Sequence, residues 1–403
     1  MTTSVPDAAW LPSTRPAGCP YNPPESLAAQ RAEEPLSRIQ YAGGHTGWMV
    51  TSHALARAVF ADPRFSVRSE YLRNPIEGGI VVENPPPAPR GFLTNTDPPE
   101  HSRYRRQLMG QFTVQRMKKL TGRVEEIVAT ALDELERQGP PADLVNMFAR
   151  YVPSLMIGEL LGVSPADRDR FYELVEKFAQ LRRDNAPLEE QAEAFMAGRG
   201  FVAEVVLTKR ADPTDDLFSD LVTDTDFTDE EVVNVAIMLL GAGVDSVAST
   251  ISLGTMALLN NPEQLDALRR DPALAERAVE ELLRYTTAFP ISIRAALEDV
   301  ELDGRLIRKG ENVTVYSAAA NRDPAKFADP DELNLARTDR GHVAFGHGVH
   351  QCLAQQLARV ELKVAFPALV TRFPHLRLEL PADEVPVRNE VAFYGLHSLP
   401  VSW

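Results

Sequence analysis

A long apolar stretch near the middle of the chain, from Thr228 to Leu259, limits the possible folds more than any other segment. It opens with Thr-Asp-Glu-Glu, the pattern of a capping box at a helix start, and it stops at Asn260-Asn261-Pro262. A helix of about 32 residues would be about 48 Å long. Because the stretch is apolar on nearly all faces, we expect this helix to run through the middle of the protein.

Most of the remaining sequence also has helical periodicity. Helices are predicted over 113–138, 144–161, 164–183 and 188–209, a short strand followed by a helix over 48–66, and short strands near 288–317 and 376–402. Residues 1–30 predict an extended lead-in, and the prolines and glycines of 67–95 predict an irregular loop. We therefore predict a mainly α protein with small β-sheets, built as a single domain over residues 1–403.

Charge and cysteine content exclude several classes of protein. A net charge of −15 argues against nucleic-acid binding, which depends on clustered Lys and Arg. The two cysteines, Cys19 and Cys352, are far apart and suggest no disulfide framework, which favours a reducing cytosol. The N-terminus has no basic segment before an apolar run, and Val235 to Val244 is too short to span a bilayer. We expect a soluble, cytoplasmic and monomeric protein without a membrane anchor, and we expect Cys19 to be a free thiol with no role.

Cys352 ends the glycine-rich segment FGHGVHQC and is followed by a strong helix pattern. A thiolate at a helix N-terminus is stabilised by the free N–H groups and by the helix dipole. Glycines allow the backbone to pass close to a flat cofactor. A lone cysteine is more often an inert small hydrophobe, and one Cys among three His at this spacing matches no zinc pattern. From the residues alone, an inert and a reactive Cys352 both stay open.

The segment FGHGVHQC resembles the ligand loop of the cytochrome P450 superfamily, Phe-Gly-x-Gly-x-His-x-Cys. Four further segments resemble family motifs in the family's order: DPPEHSRYRRQL from Asp97, AGVDS at 242–246, ELLR at 281–284 and ANRDPAKFADPDELNLAR before the ligand loop. The resemblance covers Cys19 to Trp403 and is greatest to soluble actinobacterial members that tailor natural products and oxidise xenobiotics. It implies the cytochrome P450 fold, a prism-like helical core around a buried haem b, with the iron held by the Cys352 thiolate.

By this resemblance, charged and small side chains would surround the haem. Arg and His side chains would bind its two propionates, for which guanidinium groups are well suited. The alternative is that these charges lie on the surface. The residues expected at the haem are His101, Arg105, Ala242, Arg294, His342, Phe345, Gly346, Cys352 and Ala354. The family usually has Gly at the position of Ala354, so we expect its Cβ to crowd the haem or the adjacent backbone.

Glu281 and Arg284 form the family's Glu-x-x-Arg motif. The resemblance implies a buried ion pair, completed by Arg337, whose role is structural and holds the ligand loop. The motif alone is a weak signal, because an i,i+3 ion pair is common on any helix face.

Asp245 and Ser246 occupy the position of the family's acid and alcohol pair, in the centre of the long helix. The resemblance implies that they organise water and deliver protons to bound dioxygen. Ser246 replaces the usual Thr; it keeps the hydroxyl but lacks the methyl group that restricts χ1. We therefore expect less well coupled proton delivery or an altered reaction. The alternative is that Asp245 is a structural acid bonded across to a neighbouring loop.

The resemblance also implies a substrate pocket walled by the 67–92 loop and the 170–195 helix pair, which would act as a lid. The individual pocket residues predicted are Ala242, Gly243, Phe289, Ile291, Phe393 and Tyr394. Mostly apolar walls with charge in QLRRDN, at 180–185, suit a large amphipathic ligand. The substrates that are usual for similar members of the family suggest a macrolide or other polyketide.

The activity implied is that of a monooxygenase that uses O2 and hydroxylates or further oxidises C–H bonds of a natural product. The sequence shows no flavin or iron–sulfur segment, so electrons would come from a ferredoxin and its reductase. The predicted docking cations are Arg103, Arg106, Arg359 and Lys363, although a solvated helix face fits them equally. Two other functions stay open: a haem-thiolate enzyme that uses peroxide or rearranges or couples its substrate, and a haem protein that only binds a ligand. The acid and alcohol pair argues against the second.

Overall fold

The structure is a computed structural model that describes residues 8–403, apart from residues 17, 18, 20, 80, 184, 185 and 389–392. Its architecture is mainly helical, as the sequence predicts. The α-helices are α1 (Ser26–Glu33), α2 (His53–Ala61), α3 (Glu100–Met109), α4 (Val114–Gln138), α5 (Tyr151–Leu161), α6 (Arg168–Arg183), α7 (Leu188–Ala211), α8 (Leu217–Asp224), α9 (Asp229–Leu259), α10 (Pro262–Arg270), α11 (Ala275–Thr286), α12 (Ser317–Ala320) and α13 (Gln355–Arg372).

The long apolar stretch forms α9, and the predicted capping box is present. The Thr228 hydroxyl accepts the N–H of Glu231, and the Glu231 carboxylate accepts the N–H of Thr228. Helix α9 packs against α5, α7, α11 and α13, so it passes through the core. It is long and apolar enough to cross a membrane, but 61% of its most apolar window is buried inside the protein, as expected of a central core helix.

Short strands form small sheets beside the helices. The strands are β1 (Leu36–Tyr41), β2 (His45–Val50), β3 (Phe65–Ser66), β4 (Ala142–Asp143), β5 (Ile291–Ala296), β6 (Val300–Leu302), β7 (Arg305–Ile307), β8 (Asn312–Tyr316), β9 (Arg377–Leu378), β10 (Val387–Arg388), β11 (Gly395–Leu396) and β12 (Pro400–Ser402). A five-stranded sheet has the order β1-β2-β8-β5-β3, in which only the β2–β8 pair is parallel. The others are β4-β12-β9, β10-β11 and β6-β7. Strand β1 lies outside the predicted strand regions. It is stabilised by pairing with β2, and its own sequence has no strong strand pattern.

Two helix starts differ from the prediction. The segment predicted as one helix over 144–161 begins with a short π-helix, Val145–Ala149, before α5. Ser164 precedes a 3-10 turn, Pro165–Asp167, and its hydroxyl donates to the Asp167 carboxylate instead of capping a backbone N–H. The predicted irregular loop over 67–95 contains only the short 3-10 turns Ser69–Tyr71 and Leu93–Asn95 among its described residues.

Candidate cofactor and substrate cavity

A large cavity with a volume of about 1190 Å3 lies alongside the middle of α9. Segments that are far apart in the sequence line it: the loop after β3, helices α6 and α7, the centre of α9, strand β5 and the loop before α13. Most lining side chains are apolar, as in pockets that bind organic molecules. Its volume exceeds the roughly 300–1,000 Å3 of common ligand pockets, so a large cofactor and a substrate fit together.

Five of the six predicted pocket residues line the cavity, namely Ala242, Gly243, Phe289, Ile291 and Phe393. Tyr394 does not: it is 3% exposed, and the guanidinium carbon of Arg15 lies 3.3 Å from its ring centre. The prediction for Tyr394 is wrong because neighbouring side chains of an extended segment point to opposite sides. Phe393 therefore faces the cavity, and Tyr394 faces the N-terminal lead-in.

The predicted lid segments both line the cavity. Helices α6 and α7 present apolar side chains to it, and the rings of Phe178 and Phe195 lie 5.8 Å apart. Arg73 and Asn74 add polar groups from the loop after β3. The charged segment predicted at 180–185 falls partly outside the described residues, because positions 184 and 185 and the side chains at 182 and 183 are not described.

A tight loop presents Cys352 to this cavity. The Cys352 N–H donates to the carbonyl of Phe345 over 2.9 Å. Gly346 and Gly348 have φ of +68° and +75°, a conformation that favours glycine. A Cβ at Gly348 would also collide with the carbonyl of Phe60, at the end of α2. The glycines of the motif are thus required by backbone conformation and by close packing.

Burial dominates the surroundings of Cys352 and by itself favours the neutral thiol. Burial raises the pKa of the thiol, and the N–H of Ala354 and the charges of Arg105 and Arg359 only partly oppose this shift. A bound metal cation is the charge that makes a coordinating thiol lose its proton. Cys352 lines the cavity and Cys19 does not, so Cys352 is the cysteine placed to hold a metal there.

Ala354, where the resemblance favours Gly, is the N-cap residue of α13. Its φ of −87° and ψ of 14° are available to any residue, so the backbone conformation does not require glycine. Its side chain lines the cavity, and its N–H hydrogen-bonds the Cys352 thiol. The substitution therefore keeps the hydrogen bond that favours the thiolate.

Four basic side chains line one part of the cavity: His101, Arg105, Arg294 and His350. The rings of His101 and His350 are 4.2 Å apart, and both ring nitrogens of His101 are buried without a hydrogen-bond partner. Among the described residues, the guanidinium groups of Arg105 and Arg294 donate to the backbone carbonyls of Gln351 and Ile293 rather than to a carboxylate.

The electrostatics of this cluster fit an anionic ligand. Burial lowers the pKa of Arg294 to about 10. Burial and, to a smaller extent, the charge of Arg105 together lower the pKa of His101 to about 4. Burial, followed by the charges of His101, Arg294 and Arg105, lowers the pKa of His350 to about 3. Basic groups gathered in a buried cleft are stabilised by an anion, and the two propionates of a haem provide two negative charges. The residues present therefore fit a haem.

His342 is absent from the described cavity lining, so its predicted position is wrong. Its Nε2 lies 3.2 Å from the Glu280 carboxylate, which Arg359 also binds at 2.6 Å. The side chain therefore points toward α11, which carries Glu280. His350 was missed, although the fixed His of the loop motif was the signal that could have identified it.

Asp245 and Ser246 line the cavity from the centre of α9. Asp245 forms an ion pair of 2.6 Å with Arg150 and lies 3.7 Å from Arg388. Arg150 also binds Glu176 of α6 at 3.2 Å. Burial lowers the pKa of Arg150, but the charges of Glu176 and Asp245 outweigh burial and raise this pKa overall. These contacts fit the alternative in which Asp245 is a structural acid bonded to neighbouring segments, and its partners Arg150 and Arg388 were not predicted.

The hydroxyl of Ser246 donates to the carbonyl of Ala242 over 2.8 Å, one turn earlier in α9. Gly243 lies close to α5, because a Cβ there would be 2.8 Å from the Cδ1 atom of Ile157. Small residues at this point of α9 therefore allow α5 to approach and leave space beside the helix.

The predicted Glu281 ion pairs are present and buried. Arg284 Nε and Nη2 each lie 2.8 Å from a Glu281 oxygen, and Arg337 Nε lies 3.0 and 3.1 Å from the two oxygens. Arg284 also donates to the carbonyls of Asn321 and Pro330. The network thus joins α11 to the segment that leads into the ligand loop.

Glu361 of α13 is a further cavity residue that the sequence did not single out. It is 2% exposed, and its Oε2 has no hydrogen-bond partner. Burial raises its pKa to about 8 and so favours the neutral carboxyl. A helix pattern alone does not show that a charged residue faces inward.

Two of the four predicted docking cations are engaged within the protein. Arg103 forms ion pairs with Asp226 at 3.0 Å and Glu231 at 2.9 Å, and Arg359 binds Glu280. Arg106 is exposed at the end of α3. These ion pairs fit neither the predicted docking role nor a freely solvated helix face for Arg103 and Arg359.

Comparison with known proteins agrees with this geometry. The family model "Cytochrome P450" matches residues 189–397. The chain is 46% identical to cytochrome P450 105C1 of Streptomyces sp., and the match covers 95% of this chain and 96% of that protein. It is 41% identical to pentalenic acid synthase of Streptomyces avermitilis, and that match covers 100% of this chain and 99% of the synthase. A crystal structure of CYP105P1 in complex with filipin I superposes with a TM-score of 0.87, at 39% identity over 98% of this chain and 99% of that one. The chain therefore belongs to the cytochrome P450 family, whose members are oxidoreductases that bind haem through a cysteine thiolate.

Proposed function

We propose that this protein is a ferredoxin-dependent monooxygenase that hydroxylates or further oxidises C–H bonds of a large natural product, a macrolide or another polyketide. One observation carries the proposal: Cys352, the basic cluster and the centre of α9 all line the same large, mainly apolar cavity. Two of the similar proteins add support, since one is named for the synthesis of pentalenic acid and another was crystallised with filipin I. We also propose that the protein acts as a cytoplasmic monomer.

In this function Cys352 holds the iron of haem b, and the basic cluster binds the propionates. The cluster consists of His101, Arg105, Arg294 and His350, with Ala242, Phe345, Gly346 and Ala354 against the porphyrin. When bound, the haem activates O2, and its thiolate ligand favours O–O cleavage. The ion pairs of Glu281 with Arg284 and Arg337 keep the ligand loop in place.

Asp245 and Ser246 supply protons at the cavity. The Ser246 hydroxyl donates to the Ala242 carbonyl, so its oxygen keeps lone pairs that accept a hydrogen bond from water. Asp245 is held by Arg150, and it has to loosen from this ion pair before its carboxylate carries a proton toward Ser246. General acid catalysis requires the donor to reach the acceptor directly or through one water.

The shape and lining of the cavity support a large amphipathic substrate. A bound haem would take part of the cavity volume of about 1190 Å3 and would leave the rest for a substrate. Phe178, Phe195 and Phe289 provide apolar contacts, while Arg73 and Asn74 provide hydrogen-bond donors. Such a pocket binds the bulk of a ligand through apolar area and fixes its orientation through a few polar groups.

Electrons are proposed to come from a ferredoxin and its reductase, with docking on the side of the Cys352 thiolate. Of the predicted contacts, Arg106 and Lys363 are the better candidates, because Arg103 and Arg359 already bind carboxylates of this chain. Complementary charge speeds the encounter of two proteins, so this step should slow with increasing ionic strength.

The central test compares the wild-type protein with Cys352→Ala. The dithionite-reduced wild type under carbon monoxide should show the far-red-shifted Soret band of a thiolate–carbonyl complex, and the variant should lose it. Turnover is then measured with reduced nicotinamide, ferredoxin and reductase on a panel of macrolides. A wild-type band typical of histidine-ligated haem, or a protein without haem, would refute the assignment of Cys352.

A second candidate is a peroxide-using haem-thiolate enzyme. The observation that favours it is the 2.6 Å ion pair of Asp245 with Arg150, which holds the acid needed for proton delivery to O2. Turnover driven by hydrogen peroxide, with none from reduced ferredoxin and O2, would decide for this second function.

A further inference from the structure

We propose that the N-terminal lead-in, residues 8–16, is the outer layer of the substrate-cavity wall, and that Arg15 is a specificity-determining residue that positions Phe393 through Tyr394. This inference rests on the proposed function, because it takes the cavity to be the place where the substrate lies. Arg15 does not line the cavity itself, so its role is that of a positioning residue.

The lead-in is attached to the sheet at two points. The N–H of Gln40 donates to the carbonyl of Ala9 over 2.9 Å, which joins the lead-in to β1. The hydroxyl of Tyr316 donates to the carbonyl of Pro12 over 3.1 Å, at the end of β8. These bonds hold an extended segment that has no helix or strand of its own in a fixed place across the sheet.

The lead-in also contributes a buried side chain to an apolar cluster next to the cavity. Leu11 is 5% exposed and belongs to a core cluster with Ile291 and Tyr316, against which Ile76 and Ile293 pack. Ile291 of this cluster and the two isoleucines that pack against it, Ile76 and Ile293, line the cavity. The wall is therefore thin here: one layer of side chains faces the substrate, and Leu11 lies in the cluster behind it.

Arg15 extends this outer layer to Tyr394. Its guanidinium carbon lies 3.3 Å from the centre of the Tyr394 ring, and Nη1 donates to the carbonyl of Asn22 over 3.1 Å. Cation–π attraction is stronger where the groups are removed from water, and here the Tyr394 ring is buried and Arg15 is partly buried. The Tyr394 hydroxyl is buried without a hydrogen-bond partner, so the face of the ring rather than its hydroxyl holds this side chain.

The restraint on Tyr394 reaches the cavity through its neighbours. The N–H of Tyr394 donates to the carbonyl of Ala288 over 2.9 Å, and Ala288 itself lines the cavity. The rings of Phe393 and Phe289, which also line the cavity, are 5.2 Å apart. With Tyr394 clamped by Arg15, the two phenylalanine rings form a fixed surface for a substrate. Without the clamp, Phe393 would gain freedom and an apolar ligand would lose part of its contact.

The test measures binding rather than turnover, on the haem-containing protein. Wild type, Arg15→Ala, Arg15→Lys and Tyr394→Phe are titrated with imidazole, which reaches only the iron, and with 1-octylimidazole, whose tail reaches the wall. The matched control is Arg38→Ala, because Arg38 also lies over an aromatic ring, Trp48, at 4.5 Å, but neither residue lines the cavity.

In Arg15→Ala, the Kd for 1-octylimidazole should rise about fivefold, equivalent to about 1 kcal/mol, while the Kd for imidazole stays within about twofold. Arg15→Lys keeps a cation over the ring and Tyr394→Phe keeps the ring face, so both should stay near wild type, as should Arg38→Ala. If Arg15→Ala does not fold, Tyr394→Leu takes its place and should show the same selective loss.

An unchanged ratio of the two Kd values in Arg15→Ala, or an equal loss in Arg38→Ala, would overturn the proposal for Arg15 while leaving the proposed function intact. A wild-type protein whose absorption spectrum does not respond to imidazole would instead refute the haem-thiolate function, and the wall proposal with it.

Discussion

Removing the carboxylate of Glu281 should destabilise this protein far more than removing its neighbour Glu280. Glu281 is 3% exposed and accepts hydrogen bonds from Arg284, Arg337 and the N–H of Asn334, at distances of 2.8 to 3.1 Å. Both guanidinium groups are nearly inaccessible to water. Glu281→Ala leaves two buried cations without their counter-charge.

Breaking a buried ion pair by removing one partner costs about 3–5 kcal/mol, because the remaining charge stays out of water. The backbone carbonyls that Arg284 and Arg337 also bind soften this penalty, so we expect about 3 kcal/mol for Glu281→Ala. The side chain of Glu280 is 30% exposed, so water replaces much of its interaction with Arg359 and His342. For Glu280→Ala we expect about 1 kcal/mol or less.

The assay is urea unfolding of both variants, followed by far-UV circular dichroism and by haem absorption. Glu281→Ala should release haem at a lower urea concentration than it loses helix, because the network joins α11 to the segment before the ligand loop. The reasoning would be refuted if Glu281→Ala lowered the free energy of unfolding no more than Glu280→Ala does. The buried network would then contribute no more to stability than a partly exposed ion pair.

Three further predictions follow from residues around the cavity. His350→Ala should lower haem retention during dialysis and His342→Ala should not, because only His350 lines the cavity; equal retention in both would contradict the assignment of the propionate site. Ser246→Thr restores a methyl group that restricts χ1, so a larger share of the O2 consumed should be found in product and less in hydrogen peroxide; an unchanged ratio would show that the hydroxyl alone decides coupling. The Glu361 carboxyl has its pKa raised by burial from 4.5 to about 8, so the unfolded state loses this proton first and stability should fall as pH rises between about 4.5 and 8. Glu361→Gln removes this loss, and its free energy of unfolding relative to wild type should increase from pH 5 to pH 8; parallel pH profiles would show that Glu361 is ionised in the folded protein.

The features that the sequence predicts correctly depend on interactions between residues that are close together in the chain. Helix α9 was predicted with its capping box because hydrogen bonds within one turn and an apolar pattern both lie in one continuous segment. The loop before α13 was predicted to present Cys352 because its glycines, its thiol and the following helix are all within a few residues of one another. The Glu281–Arg284 pair is equally local, one helical turn apart.

Predictions failed where the direction of a side chain depends on distant parts of the chain. Phe393 and Tyr394 are neighbours, and nothing in their sequence shows which of them faces the cavity. In the structure Phe393 lines the cavity, and Tyr394 lies against Arg15 of the distant lead-in. His342 and His350 are both close to the thiol in sequence, but Glu280 of α11 binds one and leaves the other at the cavity.

The sequence by itself determined the helical class, the central helix, the glycine-rich loop before Cys352 and membership of the cytochrome P450 family, because each depends on continuous patterns. Only the tertiary structure decided that Arg150 holds Asp245, that burial raises the pKa of Glu361, and that Leu11 of the lead-in belongs to the same apolar cluster as Ile291. These features join residues separated by tens to hundreds of positions. Their energies come from burial and from charge at short range, which exist only after the chain has folded.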